Sequence, residues 1–284
     1  MEISYGISEE IGWRSAMEDA HAIYEDPKRL FFSAEIYDGH GGRQPAQIAA
    51  GMLTPVFLHA WAQELTKPLR ERKGEAGVLR DSYLAVDAHI VARRIEAGTC
   101  AVQLYLIGER FLAANVGDSR VVIGTGEGAI MLTEDHKPDV VLERARIEAL
   151  GGRVALLGVP RVEGILAISR ALGDSCLKPY VSAEPRITEG VLGTENDIAV
   201  LACDGVWDVL TPETVIKTAR GEANPQKGAQ KVSKEALDRG STDNITVIVL
   251  DLRGHTASAA NGKMKIVNVY DKERENSSRF RVPG

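Results

Sequence analysis

The segment LFFSAEIYDGHGG, residues 30–42, joins an apolar run to a carboxylate and a cluster of glycines. Aromatic and aliphatic residues dominate 30–37, and a run of this length bounded by turn residues is typical of a strand. Asp38 follows at once, and Gly39 behind it allows the backbone to turn sharply or to approach a ligand closely. The segment therefore predicts a strand that carries Asp38 out of the core at a sheet edge.

Three more carboxylates stand at the ends of strand-like runs. RFLAANVGD ends in Asp118, DIAVLACD ends in Asp204, and Asp243 comes just before ITVIVLDL. A single aspartate in such a place is commonly a turn residue. Four of them at one sheet edge would repel one another unless cations neutralised them. The repetition therefore favours one shared metal site over four separate turns.

The candidate metal ligands are all oxygen atoms. Glu18 and Asp19 add two carboxylates, and the sequence contains no His–Cys cluster or HExxH pattern. Such ligands select Mg²⁺ or Mn²⁺ over Zn²⁺ or Cu²⁺. Two of these ions about 4 Å apart can hold a bridging hydroxide that attacks phosphorus in line, without a protein nucleophile. The reaction also needs a cation for the phosphate and an acid for the leaving group, and Arg14 and His40 are candidates for these roles.

The composition of the 284-residue chain is ordinary for a globular protein, with 44% hydrophobic and 26% charged residues. The net charge of −6 argues against a dedicated nucleic-acid binder, since such proteins are usually basic. Cys100, Cys176 and Cys203 are too widely spaced for a disulfide framework. With an opening segment that lacks a signal-peptide pattern, they predict a cytoplasmic location, the nucleus being an alternative. The uncharged stretch 44–63 is too polar for a membrane span and predicts a buried or half-buried helix.

Pairs of helices alternate with groups of strands along residues 1–253, and no linker or low-complexity break interrupts them. This order favours an α+β fold with mostly antiparallel sheets over a doubly wound parallel sheet. Pro55 is expected to kink or divide the helix at 46–64. Thr211 and Asn224 each precede a proline and predict helix N-termini. The other predicted strands are 101–107, 110–116, 120–123, 129–132, 198–202 and 245–252, and the other predicted helices are 78–97 and 140–150.

The segment 254–284 differs from the rest because six basic and three acidic side chains give it a net charge of +3. We expect a basic, partly disordered extension with at most one strand, at 264–270. A solvated terminus is the plainer interpretation of this segment, and a docking role is the alternative. The sequence fixes no oligomeric state, and a monomer is the default expectation.

Six short motifs place these carboxylates in a longer pattern. They are RSAMED (14–19), YDGHGG (37–42), VGDSR (116–120), LAISRALGD (166–174), ACDGVWD (202–208) and STDNIT (241–246). In this order they resemble the motifs of the metal-dependent protein phosphatases, the type 2C serine/threonine phosphatases. The match covers roughly residues 1–253, and the six motifs together are far more specific than any one alone.

The resemblance implies a four-layer α-β-β-α sandwich, with two mainly antiparallel sheets flanked by helix pairs and the metals at one end. It also implies two Mg²⁺ or Mn²⁺ ions in the core of the site and a weaker third ion. Asp38 would bridge the two ions, and the Gly39 carbonyl would join the second. The resemblance assigns Asp204 and Asp243 to the first ion, Glu18 through water and Asp19 in the outer shell to the second, and Asp118 with Asp204 to the third.

The same resemblance assigns the groups that act on the substrate. Arg14 would bind the substrate phosphate, His40 would be the general acid, and the metal-bridging Asp38 would be the third catalytic residue. Asn244 would order the turn that presents Asp243. Residues 135–165 resemble the family's mobile flap, which is associated with substrate choice. The implied activity is hydrolysis of phosphoserine and phosphothreonine in phosphorylated proteins, by attack of a metal-bridging hydroxide and with no covalent phospho-enzyme.

Two places depart from the family pattern. Residues 98–101 read GTCA where the family usually has GSTA, so Cys100 replaces a hydroxyl near the metal waters with a thiol. An inert small residue is the plainer interpretation, and a redox-sensitive site is the alternative. Residues 153–161, RVALLGVPR, are more apolar than expected at the end of the flap, and favour packing on a partner or on the flap itself.

Rival functions have less support in the sequence. No cysteine begins the C-x₅-R loop of a cysteine-based phosphatase, and the pair at 262–263 lacks the earlier glycine of a P-loop. A catalytically dead scaffold usually loses metal ligands, whereas all four aspartates are present. A hydrolase of small phosphoesters stays open, because the same metal chemistry serves any accessible monoester.

Overall fold

A computed structural model describes residues 3–26, 30–126, 128–256 and 263–268. The strands are β1 (Ser4–Glu10), β2 (Ala20–Glu25), β3 (Phe31–Tyr37), β4 (Gly39–His40), β5 (Gly98–Thr99), β6 (Ala101–Ile107), β7 (Arg110–Val116), β8 (Arg120–Thr125), β9 (Gly128–Met131), β10 (Val154–Leu157), β11 (Val159–Val162), β12 (Leu172–Gly173), β13 (Arg186–Val191), β14 (Ile198–Ala202), β15 (Ile245–Asp251) and β16 (Lys265–Asn268). The helices are α1 (Gln44–Leu65), α2 (Glu75–Ala92), α3 (Val141–Ala149), α4 (Asp204–Trp207), α5 (Pro212–Arg220), α6 (Pro225–Asp238) and α7 (Arg253–Thr256).

Two antiparallel sheets contain most of the strands. The five-stranded sheet has the order β1-β15-β14-β8-β9, and the six-stranded sheet has the order β16-β13-β7-β6-β3-β2. In the six-stranded sheet, for example, Ala34 of β3 lies opposite Leu104 of β6. The short strands β12, β5 and β4 form a third sheet, and β10 pairs with β11 as a hairpin.

The two faces of each sheet pack against different layers. In β3, Ala34 and Ile36 pack between the two sheets, whereas Phe31 and Tyr37 pack against α1 and α2. On the other side, α5 and α6 cover the outer face of the five-stranded sheet, where Val215 contacts its apolar residues. This alternation follows from the two-residue period of a strand. The order helix–sheet–sheet–helix confirms the predicted α+β sandwich.

The helix α1 continues through Pro55, so Pro55 does not divide it, and the alternative of a kink stays a prediction. Pro55 lacks the N–H group that would bond to the carbonyl of Gly51. Both residues are exposed, and water can therefore bond to that carbonyl in place of the missing N–H group.

The helix α2 begins at Glu75 and ends at Ala92, whereas the sequence predicted 78–97. Arg94 adopts a left-handed backbone conformation with φ of 57°, a conformation that commonly ends helices. The predicted N-termini of α5 and α6 are confirmed. The Thr214 N–H donates to Thr211 Oγ1 at 3.3 Å, and the Lys227 N–H donates to Asn224 Oδ1 at 2.9 Å.

Eight strands were not among the predicted ones: β1, β2, β13 and the short strands β4, β5, β10, β11 and β12. The described part of the segment after residue 253 contains α7 and β16, and β16 pairs with β13 inside the stretch where one strand was expected. The expected disorder falls on 257–262 and 269–284, which lie outside the described residues. Within the described ranges, every helix is too short or too polar to cross a membrane. The cytoplasmic location and the monomeric state stay predictions.

Candidate active site

A cavity of about 640 Å³ lies where the ends of both sheets meet. Eight of the predicted site residues line it, and Asp19 is not among the lining residues. The eight are Arg14, Glu18, Asp38, Gly39, His40, Asp118, Asp204 and Asp243.

The two sheets present the four aspartates from different sides. Asp38 follows β3 of the six-stranded sheet, and Asp204 follows β14 of the five-stranded sheet. Asp243 comes just before β15, and Asp118 lies where the chain passes from β7 in one sheet to β8 in the other. Because these strands end at the same end of the sandwich, side chains far apart in sequence share one cavity.

The charges in this cavity are poorly balanced. Burial, and next the charges of neighbouring aspartates, raise the pKa values of Asp38 and Asp204 well above their usual range. Lys137 forms an ion pair with Asp118, and Arg14 Nη2 lies 2.5 Å from Asp243 Oδ2. Among the described residues, no basic side chain forms an ion pair with Asp38 or Asp204. Clustered, uncompensated carboxylates fit a hard divalent cation, which prefers oxygen ligands.

Asn244 fastens the loop that carries Arg14 and Glu18. Its Nδ2 donates to the carbonyl oxygens of Ile11 and Ala16 at 2.9 and 3.0 Å, and its Oδ1 accepts from the Glu18 N–H at 2.9 Å. The Asn244 N–H also donates to Asp243 Oδ1 at 2.7 Å. Asn244 therefore orders two segments of the site, the turn of Asp243 and the loop before β2.

Asp19 and Gly39 support the wall of the cavity. Asp19 is buried and accepts a hydrogen bond from Thr246 Oγ1 at 2.7 Å. Burial is the main cause that raises the pKa of Asp19 to about 6. A Cβ atom on Gly39 would lie 2.3 Å from the carbonyl oxygen of Glu18, so the close approach of these two segments requires glycine.

Arg14 and His40 lie on the accessible side of the cavity. The Arg14 side chain is 59% exposed, so a phosphate could reach its guanidinium group from solvent. His40 is partly exposed, and its Nε2 lies 3.0 and 2.9 Å from the two carboxylate oxygens of Asp174. Sequence reasoning gave Asp174 no role, although it belongs to the LAISRALGD motif.

A family model described as Protein phosphatase 2C matches residues 3–245. The chain belongs to the protein phosphatase 2C family. It is similar to Probable protein phosphatase 2C 59 of Oryza sativa subsp. japonica, with 37% identity over 259 residues that cover 88% of this chain and 76% of the relative. Probable protein phosphatase 2C 59 of Arabidopsis thaliana is 36% identical over 256 residues, which cover 88% of this chain and 79% of the relative.

Solved structures share this fold. One titled a C. elegans sex determining protein superimposes with a TM-score of 0.80 and 26% identity, and the match covers 89% of this chain and 65% of that chain. A crystal structure of serine-threonine phosphatase 2C from Toxoplasma gondii gives a TM-score of 0.77 with 23% identity, covering 88% of this chain and 94% of that chain. Membership of the protein phosphatase 2C family makes this chain a serine/threonine protein phosphatase with phosphoprotein substrates, and the family is metal-dependent.

Lys137 and Asp208 of this 2C phosphatase also line the cavity, although sequence reasoning named neither as a site residue. Burial opposes the charge of Lys137, but its ion pair with Asp118 raises the pKa of its ammonium group overall. Burial raises the pKa of Asp208. Asp208 follows Asp204 by four residues, the spacing that puts two side chains on one helix face, and this signal in ACDGVWD could have identified it.

Cys100 lies inside the phosphatase site. Its Sγ donates to Asp118 Oδ1 at 3.3 Å, and ligand atoms of Asp38, Cys100 and Asp118 all lie within 4.8 Å of one another. Burial raises the pKa of the thiol well above its usual value, which keeps it protonated. A Cβ atom on Gly117 would lie 2.3 Å from this sulfur, so glycine at 117 leaves room for the thiol.

The predicted flap, residues 135–165, contains α3 and the β10–β11 hairpin. Val159, Pro160 and Arg161 line the phosphatase cavity. Leu156 and Leu157 are 75% and 61% exposed, so most of the surface of these two side chains faces solvent. An exposed apolar surface beside a cavity is typical of a site that contacts another protein.

A buried ion-pair network fastens the flap to the phosphatase body. Glu143 of α3 lies 2.8 Å from an Arg146 nitrogen and 2.5 Å from an Arg170 nitrogen, and Ser169 Oγ donates to it at 2.8 Å. Burial alone would raise the pKa of Glu143, but hydrogen bonds and charge from Arg170 and Arg146 lower it to about 2. Glu143 is therefore ionised and joins α3 to the segment that ends in Asp174.

Proposed function

We propose that this 2C phosphatase hydrolyses phosphoserine and phosphothreonine in proteins with two Mg²⁺ or Mn²⁺ ions in its core site and a weaker third. One observation carries the proposal: Asp38, Asp118, Asp204 and Asp243 line a single cavity, in which Asp38 and Asp204 have strongly raised pKa values. Two sheets would not bring so many carboxylates together without a cation to hold.

In this proposal, the carboxylates of the cavity and their neighbours bind the metal ions. Asp38, the Gly39 carbonyl, Asp204 and Asp243 would hold the two core ions, with Glu18 acting through water, Asp19 behind it and Asp118 at the third ion. Bound divalent ions would supply Lewis acidity and an activated water for attack on phosphorus, so no covalent phospho-enzyme is required.

In this proposal, Arg14 binds the substrate phosphate and His40 is the general acid. The exposed guanidinium of Arg14 presents a fork of donors that matches the oxygens of a phosphate. His40 donates a proton to the leaving serine or threonine oxygen, which would otherwise depart as a strongly basic alkoxide. Residues 1–253 would form the catalytic domain with its flap at 135–165, and residues 254–284 a basic extension.

The test is turnover of matched phosphoserine, phosphothreonine and phosphotyrosine peptides with Mg²⁺, Mn²⁺ or EDTA. We expect the first two peptides to be hydrolysed with either metal and none of them with EDTA. Activity that survives complete chelation contradicts metal dependence. Rapid hydrolysis of small phosphoesters with no turnover of peptides would favour the small-molecule alternative, because its metal chemistry is the same.

Arg14→Ala separates phosphate binding from the chemical step. We expect a peptide KM at least about tenfold higher, since a lost charge-assisted contact to phosphate is worth about 1.5–3 kcal/mol. Arg43→Ala, which removes an exposed arginine that does not line the cavity, is the matched control and should leave KM unchanged. An unchanged KM in Arg14→Ala would remove its phosphate role.

A further inference from the structure

Asp174 has an unusual backbone for its residue type. It is 4% exposed and adopts the left-handed conformation, with φ of 49° and ψ of 51°. Residues other than glycine rarely adopt this conformation, although aspartate and asparagine tolerate it better than most. Its N–H donates to the Ala97 carbonyl at 3.1 Å, and its carbonyl accepts from the Leu177 N–H at 2.9 Å. A strained, buried carboxylate is a candidate for a functional role.

The partner of this carboxylate is His40. In the small sheet, Gly98 lies opposite both His40 of β4 and Gly173 of β12. Asp174, which follows Gly173, therefore lies beside the imidazole of His40. Both Asp174 oxygens lie within 3.0 Å of His40 Nε2. A Cβ atom on Gly98 would lie 2.0 Å from Asp174 Oδ2 and 2.6 Å from His40 Nε2. Gly98 therefore provides the space in which the pair forms.

We propose that Asp174 is a positioning residue for His40. The carboxylate accepts the Nε2–H of His40, which fixes the plane of the ring and assigns Nδ1 as the nitrogen that serves the substrate. This inference rests on the proposed role of His40 as proton donor. During the reaction the Nδ1 proton passes to the leaving oxygen as the P–O bond breaks. Neutral His40 keeps its Nε2–H on Asp174, and solvent returns a proton to Nδ1.

The leaving group distinguishes this role from a structural one. A serine or threonine oxygen needs a proton to leave, whereas p-nitrophenolate is stable enough to leave without one. A loss of general acid catalysis therefore lowers the turnover of the peptide and leaves the turnover of p-nitrophenyl phosphate nearly unchanged. A distorted metal site or a shifted segment lowers turnover of both substrates.

The variant is Asp174→Asn, because asparagine keeps the shape and tolerates the left-handed backbone. Its amide can donate to the ring, which stabilises the wrong tautomer. We expect kcat for a phosphothreonine peptide to fall at least about tenfold, with KM unchanged and kcat for p-nitrophenyl phosphate within about threefold of wild type. A second measurement, ¹⁵N NMR of histidine-labelled protein, should find the proton of neutral His40 on Nε2 in the wild type and lose that signature in Asp174→Asn.

The chain offers a matched control in Asp87→Asn. Asp87 Oδ1 accepts from the Gly173 N–H at 2.8 Å and pairs with Lys178 at 2.9 Å, so it braces the neighbouring residue without touching His40. Its ratio of peptide to p-nitrophenyl phosphate turnover should equal that of the wild type. In a His40→Gln background, Asp174→Asn should cause little further loss on the peptide, because both changes remove one function.

Three outcomes overturn the inference while the wild type remains an active metal-dependent phosphatase. They are equal losses on both substrates in Asp174→Asn, a further large loss when Asp174→Asn is added to His40→Gln, and an unchanged peptide rate in either single variant. A wild-type protein with no metal-dependent peptide turnover would instead refute the proposed function, and the inference with it.

Discussion

The thiol of Cys100 takes a place beside Asp118 where a hydroxyl would form stronger hydrogen bonds. We therefore expect Cys100→Thr to hydrolyse a phosphothreonine peptide at a rate equal to or higher than that of the wild type. Steady-state kcat over a Mn²⁺ titration measures this, and Cys176→Ser, at an exposed thiol, is the control. A large fall in Cys100→Thr would show that the thiol has a function of its own.

Some site residues could be predicted from the sequence, and others could not. Asp38 and Asp204 were predictable because each ends an apolar run and precedes a glycine. Asp174 was not, since its partner His40 lies 134 residues away and only the pairing of three very short strands brings them together. Lys137 was missed for a similar reason, because a lysine in a loop is usually solvated and only the fold turns it toward Asp118.

At the scale of elements, the Glu143 network decides how firmly α3 is held. The folded pKa of about 2 lies below the ordinary value of 4.5, so the stabilisation is complete above about pH 4.5 and is lost as the pH falls toward 2. A difference of this size corresponds to about 3 kcal/mol. Glu143→Gln should lower the free energy of unfolding by about that amount at pH 7 and by much less near pH 2.

Urea titrations of both proteins at pH 7 and near pH 2 measure this difference. Glu148→Gln, at an exposed position of the same helix, is the control and should stay within about 0.5 kcal/mol of wild type. A Glu143→Gln penalty that does not shrink on acidification would show that packing, and not charge, holds the flap.

The strand β14, inside its sheet, was predictable from the sequence, and the edge strands β1 and β2 were not. The strand β14 is buried throughout and reads as a continuous apolar run. The strands β1 and β2 are largely exposed or half-buried, so polar residues interrupt their apolar pattern. Their place in the sheets depends on pairing with β15 and β3, which no local pattern encodes. Similarly, the exposure of Gly51 and Pro55 that keeps α1 continuous is a tertiary property.

For the whole molecule, the crowded carboxylates make the metal-free protein less stable than its core would allow. Asp38→Asn replaces a carboxyl group, whose charged form burial and its neighbours disfavour, with a neutral amide, and we expect the metal-free melting temperature to rise by at least about 3 °C. Millimolar Mn²⁺ should raise the melting temperature of the wild type, because the proposed metal site exists only in the folded state. This shift should be much smaller in Asp38→Asn.

Differential scanning calorimetry with EDTA or Mn²⁺ measures both effects, and Asp26→Asn, outside the cavity, is the control. Equal Mn²⁺ shifts in wild type and Asp38→Asn would place the stabilising ion elsewhere.

The neighbouring positions of β1 and β15 have a consequence for synthesis on the ribosome. The strand β1 hydrogen-bonds along its length to β15, which ends at Asp251, and Asn244 holds the loop that carries Arg14. A nascent chain that has emerged only to about residue 200 possesses Arg14 and Asp38 but lacks Asp204, Asp243 and the strand on which β1 docks. Pairing between strands so far apart in sequence slows folding. The active site also cannot form until almost all of residues 1–251 have left the exit tunnel.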